Sequence, residues 1–397
     1  MNGNSVRELL EFTTYRAVDV EQFLDPSKPS WSRFDPETGY APNGVTMPDG
    51  IEDSRSRYTY TAAGHRKLVN YADRPCRINT YGDSFAQCQQ VSDGETWQEY
   101  LAAHLGEPIR NFGVGGYGVH QAYRRARRME AGACGAERVV LMVYDDDHVR
   151  NIDAARWIRS YVQNPAPPGA PPRMLHGIPW AHVRWDVRAG RFVERASLCP
   201  AQQRLRELSN PAEFHRTFKD DEVVHLFALE RGADVGEVRH LEQLAEGLGV
   251  KVNLRSPSTR AADAQRLRGA YGLRSSEFVL DQMREWCAAE GKHLMVLLSY
   301  GRARIREAAE GKDRFDQSFV DYLESRQQPY VDGLAKHLEH FRRFNLSITD
   351  YLLQYFIEAS VAAVCGHHNP SANHLYAFFI RRELVVWLDP KPPAYLR

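Results

Sequence analysis

The chain has 397 residues, with 51 basic and 51 acidic side chains and a formal net charge of zero. That balance argues against a general nucleic-acid or anionic-membrane binder, which would carry a basic excess. No apolar run reaches the roughly 18–20 residues of a membrane-crossing helix, and the length allows a large core and more than one domain.

Met1-Asn2-Gly3-Asn4-Ser5-Val6-Arg7 has no basic stretch leading into an apolar core, so a Sec-type leader is not expected. Cys76, Cys88, Cys134, Cys199, Cys287 and Cys365 form no C-x-x-C pair, which indicates neither a zinc knuckle nor a redox motif. Several sit in apolar surroundings and read as reduced thiols of a cytoplasmic protein.

Residues 26–75 are rich in Pro, Gly, Ser and Asp, and Tyr58 to Thr61 alternate aromatic and hydroxyl side chains. Residues 1–75 therefore read as an irregular arm with a short β-pairing, laid over the core. Residues 76–151 alternate strand 76–81, helix 93–105, strand 108–113, helix 117–129 and strand 138–144. Ser92-Asp93-Gly94-Glu95 has capping-box spacing ahead of Trp97, Leu101 and Leu105. Val139 to Tyr144 is a continuous apolar run, as in a strand buried on both faces. The alternation predicts the first half of a parallel sheet with helices on both faces. Within it, Tyr123-Arg124-Arg125-Ala126-Arg127-Arg128 reads as the solvated face of a helix.

The proline-rich run 164–172 interrupts this pattern. Residues 152–275 read as a largely helical insertion. Trp180 to Val193 predict a hairpin turning at Ala189-Gly190, and Val238, Leu241, Leu244, Ala245 and Leu248 predict a helix stopped by Gly249. Tyr and Trp recur from 156 to 185, which suits a substrate lid or a homodimer surface. The α/β pattern resumes over 276–397. Phe278, Val279, Met283, Trp286 and Cys287 mark a helix that Gly291 ends, and His293 to Ser299 form a strand. A further helix is expected over 316–344 and a last one over 371–388, with Leu375, Phe378, Phe379 and Val386 toward the core.

Polar or glycine-rich blocks follow three of these strands. Ser84, in Tyr81-Gly82-Asp83-Ser84-Phe85, lies just past the carboxyl end of the first, where open α/β sheets place ligands and chemistry. A serine there can act as a nucleophile, with backbone N–H groups of the turn to hold an oxyanion. Taken alone, Gly-Asp-Ser also describes a plain turn with a capping side chain. Asn111 to Gly118 follow the second strand and Asp145-Asp146-Asp147-His148 the third. Gly366-His367-His368-Asn369-Pro370 opens the last helix, with Pro370 suited to its first turn.

In this order, Gly82-Asp83-Ser84, Asn111-x-Gly113-x-x-Gly116, Asp146-Asp147-x-x-x-Asn151 and His367-x-Asn369-Pro370 resemble the blocks of the SGNH, or GDSL-type, hydrolases, over residues 75–151 and 290–390. Phe34 to Pro42 also resembles the lead-in segment of some bacterial members. The resemblance implies a three-layer α/β/α flavodoxin-like fold and hydrolysis of carboxylic esters without a cofactor. Ser84 would be the nucleophile and His367 the base, and the N–H groups of Ser84 and Gly116 would form the oxyanion hole. Asp83, Asp147 and Asn151 would support these loops. The implied substrate is a small-molecule or glycan ester, and the aromatic insertion favours short acyl groups on carbohydrate. Family members also transfer acyl groups, and an acyltransferase would use the same pair. His368 and His374 are rivals of His367, the first at a variable position of the motif and the second inside the helix.

Two positions depart from the family pattern. The aspartate expected two or three residues before the histidine is replaced by Val364 and Cys365. That leaves a Ser-His dyad or a remote carboxylate, Asp350 and Glu358 being nearest in sequence. The asparagine that donates a third hydrogen bond to the oxyanion is replaced by Asp146, which must be protonated, turned away or replaced by a donor such as Asn151. Both departures favour a catalytically degenerate, SGNH-like binding protein as the alternative, and the joint presence of Ser84, Gly116 and His367 opposes it. The three aspartates with His148, His367 and His368 are metal-ligand types, but consecutive Asp side chains point apart and no metal is expected.

Overall fold

In a computed structural model, residues 5–167, 169–358 and 366–396 are described, so Val364 and Cys365 lie outside the described residues. The chain forms two compact units, Met1–Ala41 with His148–Phe278, and Pro42–Asp147 with Val279–Arg397. The sequence pattern, by comparison, changes at 75, 151 and 275.

The second unit carries a five-stranded sheet of β1 (Ile78–Tyr81), β2 (Arg110–Asn111), β3 (Arg138–Tyr144), β4 (His293–Ser299) and β5 (Tyr330–Asp332). Its order is β2-β1-β3-β4-β5, and every neighbouring pair is parallel. This is the flavodoxin-like order, whose direction reverses between β1 and β3, and the carboxyl ends of strands at such a reversal are where ligands bind. The continuous apolar runs of β3 and β4 are buried through Val139–Val143 and Leu294–Leu298 and pair in register, Val139 with Leu294. Burial on both faces is what such runs require.

The helices of this unit include α1 (Ser84–Gln87), α2 (Trp97–Leu105), α3 (Val119–Glu130), the end of α4 (Arg260–Ala289), α5 (Gly333–Phe341) and α6 (Pro370–Trp387). The Ser92/Glu95 capping box is present, but it caps a single 3-10 turn, and Thr96 then caps α2 by accepting from the Glu99 N–H. The helix expected over 316–344 is instead a helix Gln317–Ser325, then β5, then α5. Pro329 disfavours helix at its preceding residue, and Asp332 restarts it, its carboxylate accepting the N–H groups of Leu334 and Ala335.

The buried face of α6 is also shifted from expectation. Ala372, Tyr376, Ile380 and Leu384 recur every fourth residue toward α2, while Phe378 and Val386 stand 50 % and 71 % exposed. Phe379 is buried as expected. In the charge run of α3, Arg125 is buried and donates to the carbonyls of Phe112 and Gly64, leaving Arg127 and Arg128 on the solvated face.

The first unit holds helices Val6–Thr13, Ala17–Leu24, Arg156–Gln163, Pro211–Phe218, Glu222–Glu230 and Arg239–Gly247, and the start of α4. Its hairpin pairs His182–Asp186 with Arg191–Arg195, turning at Gly190 (φ +61°). Leu226, Leu229, Leu241, Leu244, Leu267 and Tyr271 lie at its core. Among the described residues no helix is long and apolar enough to cross a membrane.

Candidate active site

β1 ends at Tyr81, and the chain turns through Gly82 into α1. Gly82 has φ +148°, and a Cβ there would stand 2.7 Å from the Met142 carbonyl oxygen and 2.8 Å from Ala86 Cβ, so the turn needs glycine. Asp83 is fully buried. One of its oxygens accepts the Phe85 N–H at 2.9 Å and the other accepts the Ser84 hydroxyl at 3.3 Å. Ser84 is the first residue of α1, and among the described residues no acceptor takes its backbone N–H or that of Gly116.

The loop after β2 is packed against this turn. A Cβ on Gly113 would stand 2.5 Å from the Ala86 carbonyl carbon, and one on Gly115 would lie 3.7 Å from Ser84 Cβ. Asn111 Oδ1 accepts the Gly113 N–H at 2.9 Å, Gln87 Oε1 accepts the Gly115 N–H at 2.6 Å, and Gly116 follows at φ +81°. Ser84 and the glycine loop are therefore neighbours.

Past β3, the Tyr144 ring stacks on Phe85 at 4.6 Å between centroids. Asp147 accepts the Tyr144 N–H at 2.9 Å and Asp145 accepts the Gly301 N–H at 3.2 Å, with half-buried Asp146 between them. Asn151 belongs to the first unit, where its amide donates to the hydroxyls of Ser276 at 2.8 Å and Ser275 at 3.3 Å. His148 is there too, with Nδ1 2.8 Å from the Ser276 hydroxyl.

The fourth block returns to the serine turn. The half-buried His367 ring lies 5.3 Å from the Phe85 ring, and its Nδ1 is 2.8 Å from Gln90 Oε1. His368 is buried among Phe85, Phe356 and Tyr376, and neither of its nitrogens has a partner among the described residues. Burial, with His337 and His367 nearby, drives its pKa well below the usual imidazole value and keeps the ring neutral. His374 packs on the rings of Tyr100 and His104. Of the remote carboxylates, Asp350 accepts from the Ser347 hydroxyl at 2.6 Å and Glu358 pairs with Arg302.

Two residues of this neighbourhood carry no sequence signal. Arg66, 1 % exposed, donates to the carbonyls of Gln87, Cys88 and Val91 and to the Asp93 carboxylate, tying together the segment after α1. Gln90 reaches His367 from a backbone at φ +74°. Neither belongs to a motif, and a positive φ on a non-glycine residue leaves no trace in composition. Among the described residues no group of three or more His, Cys, Asp or Glu side chains is placed to hold a metal ion.

Neither a family model nor a curated protein matches the chain. Among solved structures, a member of the lipolytic protein G-D-S-L family from Veillonella parvula DSM 2008 is similar at 11 % identity and a TM-score of 0.35, over 79 % of this chain and 100 % of that one.

Proposed function

We propose that the protein is a serine esterase of the SGNH type that cleaves carboxylic esters through an acyl-serine intermediate. The observation that carries this reading is the convergence on one turn. Ser84 follows β1 at the reversal of the sheet, Gly115 packs beside it, and the His367 ring lies against Phe85. In this reading the Ser84 hydroxyl attacks the ester carbonyl while His367 Nε2 takes its proton. The N–H groups of Ser84 and Gly116 hold the oxyanion. The intermediate collapses, and the leaving alcohol takes the proton back from His367. A water, deprotonated by His367, then attacks the acyl-serine and releases the acid and the free serine.

Asp83 and Asp147 support the turn and the end of β3 through the hydrogen bonds they accept. Asp146 stands where a third oxyanion donor is expected. If ionised it offers no hydrogen, which would leave the hole its two backbone donors, and a missing donor is worth about 10²–10³ in rate. An open recess lined by Tyr100, Tyr355, His374 and Phe378 begins at Pro370, just after the His367 block. Its rings suit stacking against a sugar and favour a short-acyl carbohydrate ester as substrate.

A fluorophosphonate probe should label the purified protein, and short-chain p-nitrophenyl esters should turn over. Ser84→Ala should abolish labelling, and His367→Ala should slow labelling and turnover by about 10²-fold or more. A folded wild type that neither takes label nor turns over any ester in the series would move the assignment to a ligand-binding SGNH-like protein. Recovery of the acyl group on an added sugar alcohol would make it an acyltransferase using the same pair.

A further inference from the structure

We infer that Gln90 is the positioning residue for His367, an amide standing in the role that a carboxylate fills in a serine triad. This inference rests on the reading of His367 as the base. An amide presents a donor at one end and an acceptor at the other, so the end that faces the imidazole decides the chemistry. Here the other end is fixed, because Gln90 Nε2 donates to the Asp49 carbonyl oxygen at 2.8 Å. Turning the amide over would set oxygen against oxygen at Asp49 and an NH2 group against His367. Oε1 therefore faces Nδ1 at 2.8 Å and can only accept. Nδ1 carries the hydrogen, and the lone pair is left on Nε2, where a general base needs it.

The distinction is large. Replacing a triad carboxylate by an amide costs about 10⁴ in rate where the amide imposes the wrong tautomer. In this protein the anchor at Asp49 removes that hazard.

Gln90 is itself held in place. It is buried, and the Tyr58 hydroxyl accepts its backbone N–H while donating to the Asp49 carboxylate at 2.6 Å. Arg66 donates to the carbonyls of Val91 and Cys88 on either side of it. Its φ of +74° is a conformation that a non-glycine residue adopts only where the surroundings impose it. Strain of this kind gathers at functional sites. A neutral acceptor keeps control of the tautomer but gives the imidazolium less stabilisation than a carboxylate would.

The test reads the ring directly. In protein carrying ¹⁵N-histidine, the His367 nitrogens are identified by their loss in His367→Ala and recorded at alkaline pH, where the ring is neutral. The wild type should show the Nδ1–H tautomer. Gln90→Met, similar in length but with no strong acceptor, should shift the ring toward Nε2–H and slow fluorophosphonate labelling by about 10²-fold or more. Gln90→Glu keeps an acceptor on Nδ1 but gives up the donor to the Asp49 carbonyl, so it should keep the tautomer and label more slowly than wild type but faster than Gln90→Met. An Nε2–H tautomer in the wild type would overturn the inference without any variant, as would a folded Gln90→Met with unchanged tautomer and labelling. A wild type with the Nδ1–H tautomer that takes no label would sink the esterase reading and leave the Gln90 contact standing.

Discussion

The serine turn and the histidine loop are held by different forces. Around Ser84 the chain is fixed by close packing of backbone on backbone. Gly82 presses on Met142 of β3, Gly113 presses on Ala86 and Gln87, and a buried guanidinium gathers the carbonyls that follow. The histidine loop is held by backbone hydrogen bonds and by the His368 ring packed among Phe85, Phe356 and Tyr376. Ile357 donates to the His367 carbonyl at 2.9 Å, Gly366 donates to Ile357 at 2.8 Å, and Asn369 caps α6. Gly366 has φ +92°, and among the described residues a Cβ on it would meet nothing within 4 Å. One side is thus sensitive to an added methyl group and the other to a lost acceptor.

The largest expected effect comes from adding that methyl group. In Gly113→Ala the new carbon would stand 2.5 Å from the Ala86 carbonyl carbon and closer still to the Gln87 nitrogen, so backbone rather than a side chain must move. Overpacking of this kind should cost about 3 kcal/mol or more and take serine labelling with it. Gly366→Ala meets no described atom within 4 Å and should cost only the strain of a positive φ, about 1 kcal/mol. Thermal unfolding of the two variants checks this, and equal shifts would erase the distinction.

What could be read in advance follows the same division. The serine turn is local: strand, Gly-Asp-Ser and the glycine block 111–118 lie within a short stretch of chain, and their spacing is visible. The apolar runs of β3 and β4 are legible for the same reason. Gln90 is not, because its partner His367 lies 277 residues away. Arg66 is equally silent, a single arginine in an irregular segment whose acceptors are backbone carbonyls. β5 escaped because three residues between two helices carry too little pattern to show a period. The buried face of α6 is not legible, because Phe378 and Val386 are apolar yet sit outside the 372-376-380-384 row that packs on α2.

His368, in the histidine loop, reaches the serine turn, its ring lying 4.9 Å from Phe85, and it stands 6.3 Å from His337 of α5. Burial holds His337 at about 3, and holds His368 well below its usual value. Both folded values lie below the unfolded value of about 6.5. Below that pH the unfolded chain binds protons that the folded chain refuses. Stability is therefore full above about pH 6.5 and falls by about 1.4 kcal/mol per pH unit for each histidine as the pH drops toward the folded values. Denaturant titrations at neutral and at mildly acid pH should show this slope. His368→Phe should remove one proton's share of it and cost little at neutral pH, since neither ring nitrogen has a partner to lose among the described residues. An unchanged slope would mean that His368 takes its proton while folded.

Asp146→Asn comes next in size. Its neighbours Asp145 and Asp147 hold the backbone N–H groups of Gly301 and Tyr144, so the loop should keep its shape when 146 changes. A side-chain amide there supplies the donor that the carboxylate lacks, and ester turnover should rise about tenfold or more. No gain in a folded variant would show that the side chain at 146 does not reach the oxyanion.

The smallest effect belongs to the outer face of α6, the helix that the histidine loop opens. Val386 stands 71 % exposed, so Val386→Ser removes almost no buried area and should change stability by no more than about 0.5 kcal/mol. Ile380, six residues back on the buried face, is 1 % exposed, and Ile380→Ser both empties a packed site and buries a hydroxyl. That change should cost several kcal/mol, within the range of about 2–5 kcal/mol for large-to-small core substitutions. If His367 is carried by the seating of α6 on α2, Ile380→Ser should also slow serine labelling in the fraction that stays folded, and Val386→Ser should not. Labelling that survives Ile380→Ser intact would show that the hydrogen bonds of the loop alone hold the histidine, which is the sharper form of the contrast with the serine turn.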